Sequence, residues 1–317
     1  MGIGRGYGKL LLFGEHAAVY GYPALGLQLP GYLEVEVRPH GGDYWELPPL
    51  DDRASRLIAT AIEALPGIVG HEIAPHTLLI SGNLPMSVGL GSSAAFCTAL
   101  LRAVSPDGLA RAPAIELWQA AHRLEHVFHG TPSGIDTGLS LMAGSTLIFP
   151  NPPGLPSANP VTLPQGWLVV GAVPRSGSTA ELVSGIRKRR TEDPVGTEAL
   201  LKTLGSISQS AGQLEGAQAV DELGKLAGRA QAILQELSLS TPVVDHALGM
   251  LDRAGASGGK ISGAGGGGAF FGVFRDRQQA EVAASGLTEW LASSSPLPTG
   301  PYTLVVPLQP AEAARSA

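Results

Sequence analysis

The chain has 317 residues, 44% of them hydrophobic and 15% charged, with a formal net charge of −6. Such a length and apolar content are enough for two domains or one large core, and with no long Lys/Arg block a nucleic-acid partner is not expected. Cys97 is the only cysteine, which excludes an intrachain disulfide and a cysteine-based zinc site and suits a reducing cytoplasm; no signal peptide or membrane-spanning stretch is evident, so no membrane partner is expected either.

Taken in order, Lys9–Phe13 (KLLLF) reads as a strand stopped by Gly14, with Glu15 and His16 at its end. From Tyr32 to Arg38, Leu33, Val35 and Val37 alternate with charged residues, the pattern of a half-exposed antiparallel strand. Residues 53–65 read as a helix and 76–80 as a short strand. Pro85 to Ala95 (PMSVGLGSSAA) follows, a glycine-bearing loop that opens into an Ala/Leu-rich helix ending near Val104. Unpaired N–H groups at such a helix start favour an anion such as phosphate. Gly89 and Gly91 would permit close backbone approach, while Ser92 and Ser93 are N-cap residue types with hydroxyls suited to magnesium.

A second helix is expected over 113–129, with Pro113 at its start and Gly130 at its end. Ile115, Trp118, Ala121 or His122, Glu125 and Phe128 fall on one stripe, so the Glu125 carboxylate needs a partner or a raised pKa. The turn-forming segment His129-Gly130-Thr131-Pro132-Ser133-Gly134-Ile135-Asp136 then presents Asp136. Residues 145–149 read as a strand. Pro150–Pro164 is linker-like, either a domain boundary or a long hairpin loop. Strand 167–173, a helix through Arg189 and helical patterns near 197–212, 219–237 and 243–254 come next. The basic run Arg187–Arg190 reads as a solvated helix end. Lys260-Ile261-Ser262-Gly263-Ala264-Gly265-Gly266-Gly267-Gly268 leads into strand 269–274. Its five glycines are difficult to assign to packing, and the strand that follows argues against a flexible linker. A helix over 277–293 and a strand at 302–306 close the chain. Strands and helices mix without strict alternation, giving an α+β class.

In their order and separation, GKLLLFGEH, PMSVGLGSSAA and KISGAGGGG resemble the motifs of the GHMP kinase superfamily over nearly the whole chain. The segment Glu125–Asp136 (EHVFHGTPSGID) and the opening GEHAAVYG are most similar to the mevalonate kinase family, as is the segment Arg175–Val183. Ala18 replaces a valine of that pattern, Ser87 stands where its phosphate loop has a glycine, and Ala269 where it often has a cysteine.

The resemblance implies a two-domain GHMP kinase fold, with an N-terminal ribosomal-protein-S5-like domain over 1–165 and a C-terminal ferredoxin-like α+β domain over 166–317. It implies ATP and Mg2+ as cofactors and mevalonate as a small-molecule substrate, and it is compatible with a homodimer. Carried over by position, Asp136 would be the catalytic base and Lys9 its cationic partner. Pro85, Gly89, Leu90, Gly91, Ser92, Ser93 and Ala94 would hold the nucleotide, with Gly263, Ala264, Gly265 and Gly266 packed beside them. Ser93 (or Ser92) and Glu125 would ligate the metal, and Glu15, His16, Asp136 and Thr179 would meet the substrate. Such an arrangement supplies a helix dipole, a metal, a cation and a carboxylate, which is what phosphoryl transfer needs.

Three other readings stay open. His122-Arg123-Leu124-Glu125-His126 matches the H-x-x-E-H signature of a zinc protease. The fold would also serve a non-catalytic ligand sensor, or a kinase acting on a sugar or on phosphomevalonate.

Overall fold

The computed structural model describes residues 2–105, 107–109, 111–130, 132–152, 154–295 and 297–309. Two antiparallel sheets organise it. In the first, β1 (Gly2–Phe13) and β2 (Ala24–Pro39) run side by side, joined through a 3-10 turn at Ala17–Tyr20. The long β2 also pairs with β3 (His76–Gly82) along its outer half and with β4 (Ser145–Phe149) along its inner half. β5 (Ser157–Val161) completes this sheet beside β4. Leu33, Val35 and Val37 are buried and the charged residues between them are not, as the alternation requires.

β5 resolves the Pro-rich segment 150–164: it forms the return arm of a hairpin with β4. Pro160 is tolerated there because β5 is an edge strand, where a missing N–H costs no ladder bond on the open side. The first sheet thus ends at Val161, and the second begins with β6 (Trp167–Val173). The second sheet runs β7 (Gly258–Ile261), β8 (Gly268–Phe274), β6, β9 (Tyr302–Pro307).

Helices α1 (Asp52–Val69), α2 (Ser92–Val104), α3 (Ala114–His129) and α4 (Ile135–Leu141) belong to the first half. The closest approach is that of α2 to β1. A Cβ on Gly2, Gly4 or Gly6 would strike the backbone of Ala103, Ala99 or Ala95, so glycines at every second strand position face alanines at every fourth helix position. That fit holds the start of α2 against the middle of β1. In the second half, α5 (Thr179–Glu192) and α6 (Pro194–Ala211) pack together, α7 (Ala219–Glu236) and α8 (Pro242–Arg253) lie on β7 and β8, and α9 (Arg277–Ser294) covers β6 and β9. One continuous apolar core joins the two halves. On α3, Trp118 and Glu125 are buried as expected, but Ile115 lies off the stripe and is 49% exposed.

Candidate active site

The site is built along the outer edge of β1. In the register with β2, Lys9 lies opposite Gln28 and Leu11 opposite Gly26. The Lys9 N–H donates outward to the Leu90 carbonyl at 2.9 Å, which docks the phosphate loop. Two residues on, the Leu11 N–H donates to Ser262 Oγ at 3.2 Å and its carbonyl accepts from the same hydroxyl at 2.9 Å, which docks the glycine-rich loop. One strand edge therefore sets both loops, and β1 carries Lys9 between them.

The phosphate loop enters α2 through Gly91, which takes φ 78° at the N-cap position. Ser92 and Ser93 are therefore the first helical residues rather than caps. Ser92 Oγ accepts from the Ser87 N–H at 3.3 Å, and Ser93 Oγ pairs with His129 Nε2 at 2.9 Å. The amides of the first turn of a helix have no partner within the helix, the arrangement that suits an anion. Pro85, Leu90 and Ala94 are buried and form the loop's underside. A Cβ on Gly91 would stand 2.7 Å from Lys9 Cγ, so the glycine is needed for the lysine to pass. Ser87 keeps the left-handed conformation (φ 63°) that a glycine would adopt without strain.

Asp136 lies in the first turn of α4, which follows Gly134 in a left-handed conformation. Trp118 of α3 fixes that turn, its indole N–H donating to the Gly134 carbonyl at 2.9 Å, and the Thr137 hydroxyl donates to the same oxygen at 3.1 Å. Asp136 Oδ1 comes to 3.0 Å from Lys9 Nζ, with the lysine side chain 3% exposed and the aspartate 38%. Glu125, one α3 turn before His129, is buried, and its Oε2 has no hydrogen-bond partner among the described residues. Burial, reinforced by the charge of Asp136, pushes its pKa up to about 8, against the pull of Lys9 and the Thr137 hydroxyl. The spacing of eleven residues thus brings two carboxylates and a lysine into one charged cluster.

The glycine-rich segment lies alongside. Ser262 N–H donates to Ala269 O at 2.8 Å, and Ala269 N–H reaches Val88 O of the phosphate loop at 2.7 Å. Gly263 and Gly265–Gly268 all take positive φ. A Cβ on Gly265, Gly266, Gly267 or Gly268 would meet the carbonyl oxygens of Leu239, Ser176, Pro174 or Val88 at 2.4, 2.5, 2.3 or 2.8 Å. Packing therefore does account for these glycines, contrary to expectation.

Two residues expected at the substrate engage interior partners in this structure. The Glu15 side chain is fully buried and forms an ion pair with an equally buried Lys260, so its carboxylate is closed off from a ligand. His16, only 6% exposed, commits Nε2 to the Ala264 carbonyl at 2.9 Å, and burial holds its pKa below the usual value. Thr179 opens α5, and its exposed hydroxyl accepts from Arg175 Nη2 at 3.2 Å. Arg175 was given no role by sequence reasoning. It is partly buried, reaches toward the Gly265 carbonyl at 3.5 Å, and feels the charge of Asp136. His129, Lys260 and Ser262 were likewise within recognised motifs without an assigned task. The H-x-x-E-H pattern gathers no metal-ligand trio among the described residues: the His122 and His126 rings lie 5.3 Å apart and tilted at 60°, His126 Nδ1 is engaged by Gly130 O at 2.7 Å, and Glu125 feels the charges of Asp136 and Lys9.

Comparison with known proteins bears on both halves. The family model described as GHMP kinases N terminal domain matches residues 55–144, and that of GHMP kinases C terminal matches 213–293. The mevalonate kinase of Thermococcus sibiricus is 31% identical over 307 residues, covering 87% of this chain and 90% of that protein. The mevalonate kinase of Archaeoglobus fulgidus is 30% identical over 280 residues, covering 84% and 90%. Among solved structures, L. major mevalonate kinase in complex with R-mevalonate superposes with a TM-score of 0.82 at 24% identity, covering 98% of this chain and 97% of that one. Fold and site together define a GHMP kinase, an enzyme class that uses ATP. Within that class the chain belongs to the mevalonate kinase family.

Proposed function

We propose that this enzyme transfers the γ-phosphoryl group of ATP to the primary hydroxyl of mevalonate, giving 5-phosphomevalonate. The observation that carries the reading is the Lys9–Asp136 pair at 3.0 Å, its lysine sealed and its aspartate open, between the phosphate loop and the unpartnered oxygen of Glu125. Asp136 takes the proton of the hydroxyl as its oxygen bonds to phosphorus and the bond from phosphorus to the ADP oxygen breaks. Lys9 holds the hydroxyl and its forming alkoxide by charge, and the backbone amides of Gly91–Ser93 at the start of α2 hold the phosphates.

The residues present fit a divalent cation. Glu125 offers a buried, unpaired oxygen whose raised pKa a cation would reverse, and Ser93 offers a hydroxyl. No trio of His, Cys, Asp or Glu side chains clusters among the described residues, so Mg2+ would take its other ligands from phosphate and water. Bound there, it would neutralise phosphate charge.

Arg175 is the cation we assign to the substrate carboxylate, supported by its partial burial beside Thr179 and within the field of Asp136. Glu15 and His16 then act behind the site. We further assign the two domains to 1–165 and 166–317, dividing between the sheets, and a cytoplasmic site of action, in keeping with the buried free thiol of Cys97. ADP release measured against mevalonate, phosphomevalonate, galactose and homoserine tests the reading. Mevalonate should give the highest kcat/KM; a higher value for another acceptor overturns the substrate and leaves the kinase.

A further inference from the structure

The sealed pair of Glu15 and Lys260 has no task in the chemistry above. Both side chains are 0% exposed, and the residues are 245 apart in sequence. Of the ion pairs among the described residues, this one alone joins the first sheet's half of the chain to the second's. The Lys260 ammonium lies between the rings of Phe13 and Phe271, at 5.8 and 5.4 Å from their centroids, and also donates to its neighbour's carbonyl, Ile261 O, at 2.5 Å. Desolvating two charges commonly offsets their attraction, so stability gives a weak reason for such a pair, whereas fixing a register gives a better one.

The geometry supplies that register. Lys260 at the end of β7 and Ser262 and Ala264 in the turn beyond it engage Glu15, Leu11 and His16 in turn. Leu11 is two residues from Lys9, and Lys9 holds the phosphate loop through Leu90. We infer that the Glu15–Lys260 pair is a positioning clasp: with Ser262 and His16 it locks the glycine-rich loop to the edge of β1 and so sets that loop, Lys9 and the phosphate loop at their working separation. Neither residue touches a reactant. The inference rests on reading this site as the kinase centre, and misplacement by about 1 Å at such a centre costs on the order of 100-fold in rate.

The test is the variant Glu15→Gln/Lys260→Met, which removes both buried charges together and so avoids stranding one. Its melting temperature should stay near that of the parent while kcat falls roughly 10- to 100-fold. The mevalonate KM should stay within about threefold, because no contact with the acceptor is lost. Amide hydrogen exchange over residues 262–269 of the nucleotide-free enzyme should quicken by roughly tenfold or more, with β6 unchanged. Parental kcat in the folded variant overturns the clasp, as does a raised mevalonate KM at unchanged kcat, which would mean that Glu15 meets the acceptor. Exchange needs no acceptor, so it is read even if mevalonate proves to be the wrong substrate, and unchanged exchange defeats the clasp alone. Should the double variant fail to fold, Ser262→Ala, which removes one hydroxyl without burying a charge, is judged by the same readings.

Discussion

The C-terminal half of β1 and the turn just after it carry two lysine–carboxylate pairs with opposite fates. At Lys9 and Asp136 the lysine is sealed and the acid is 38% exposed; at Glu15 and Lys260 both side chains are at 0%. Both join a lysine to a carboxylate, and access separates them. An open carboxylate can exchange its partner for a substrate hydroxyl, whereas a closed one can only hold its lysine. The contrast shows that proximity to a motif does not assign a catalytic role; what surrounds the side chain does.

The largest effect expected from breaking this contrast is at the open pair. Asp136→Asn should lower kcat by about 10²–10⁴-fold, the range for a positioned acid–base group, with ATP affinity little changed in a nucleotide titration. Next comes Gly91→Ala, whose added Cβ would meet Lys9 Cγ at 2.7 Å at a φ of 78°. It should cost on the order of 100-fold in kcat, while Gly263→Ala, with only Gly89 O near its Cβ at 4.0 Å, should cost much less in the same assay.

A third comparison separates Arg175 from His16. Arg175→Met should raise the mevalonate KM by roughly 10- to 100-fold, the worth of a hydrogen bond to a charged group. His16→Leu should instead lower kcat with little change in KM, since its Nε2 holds Ala264 rather than a ligand.

Glu125 gives a pH signature. Its pKa rises from an ordinary 4.5 to about 8 on folding, so between those values the folded enzyme binds more protons than the unfolded chain. Its contribution therefore makes stability decline as pH rises through that window. Thermal melts of nucleotide-free protein should show the decline, Glu125→Gln should flatten it, and the same variant should need more magnesium for turnover. The smallest effect is at Ser87, where a non-glycine residue holds φ 63°. Ser87→Gly should relieve about 1 kcal/mol of backbone strain, offset in part by the added chain entropy of glycine, and read as a small shift in melting temperature.

Much of this was legible because it is local. Glu125 and Asp136 are joined by a helix end and a tight turn, so their spacing in sequence carries their spacing in space. The phosphate loop announced itself by glycines before an Ala-rich helix. What escaped notice was set by distant partners. The first half of β1 showed no apolar alternation because Gly2, Gly4 and Gly6 exist to admit α2, and β7 was hidden within four residues (258–261) of a motif read as loop. Nothing in the residues near Glu15 reveals a lysine 245 positions away. The Pro-rich hairpin arm at 157–161 carries the composition of a linker because an edge strand tolerates it.

The long span of the clasp also dictates when the enzyme becomes whole. Chains are made and fold from the N-terminus at about 5–20 residues per second. Lys9, the Pro85–Ala95 loop, Glu125 and Asp136 have all been made by residue 136, yet Glu15 and His16 wait for residues 260 and 264 to be translated. During that interval, on the order of 6–25 seconds at those rates, the ribosome displays a half-built centre with an acid end of β1 still open to water. A nascent chain stalled before Lys260 should bind conformation-specific probes of the finished site poorly, however complete its catalytic residues.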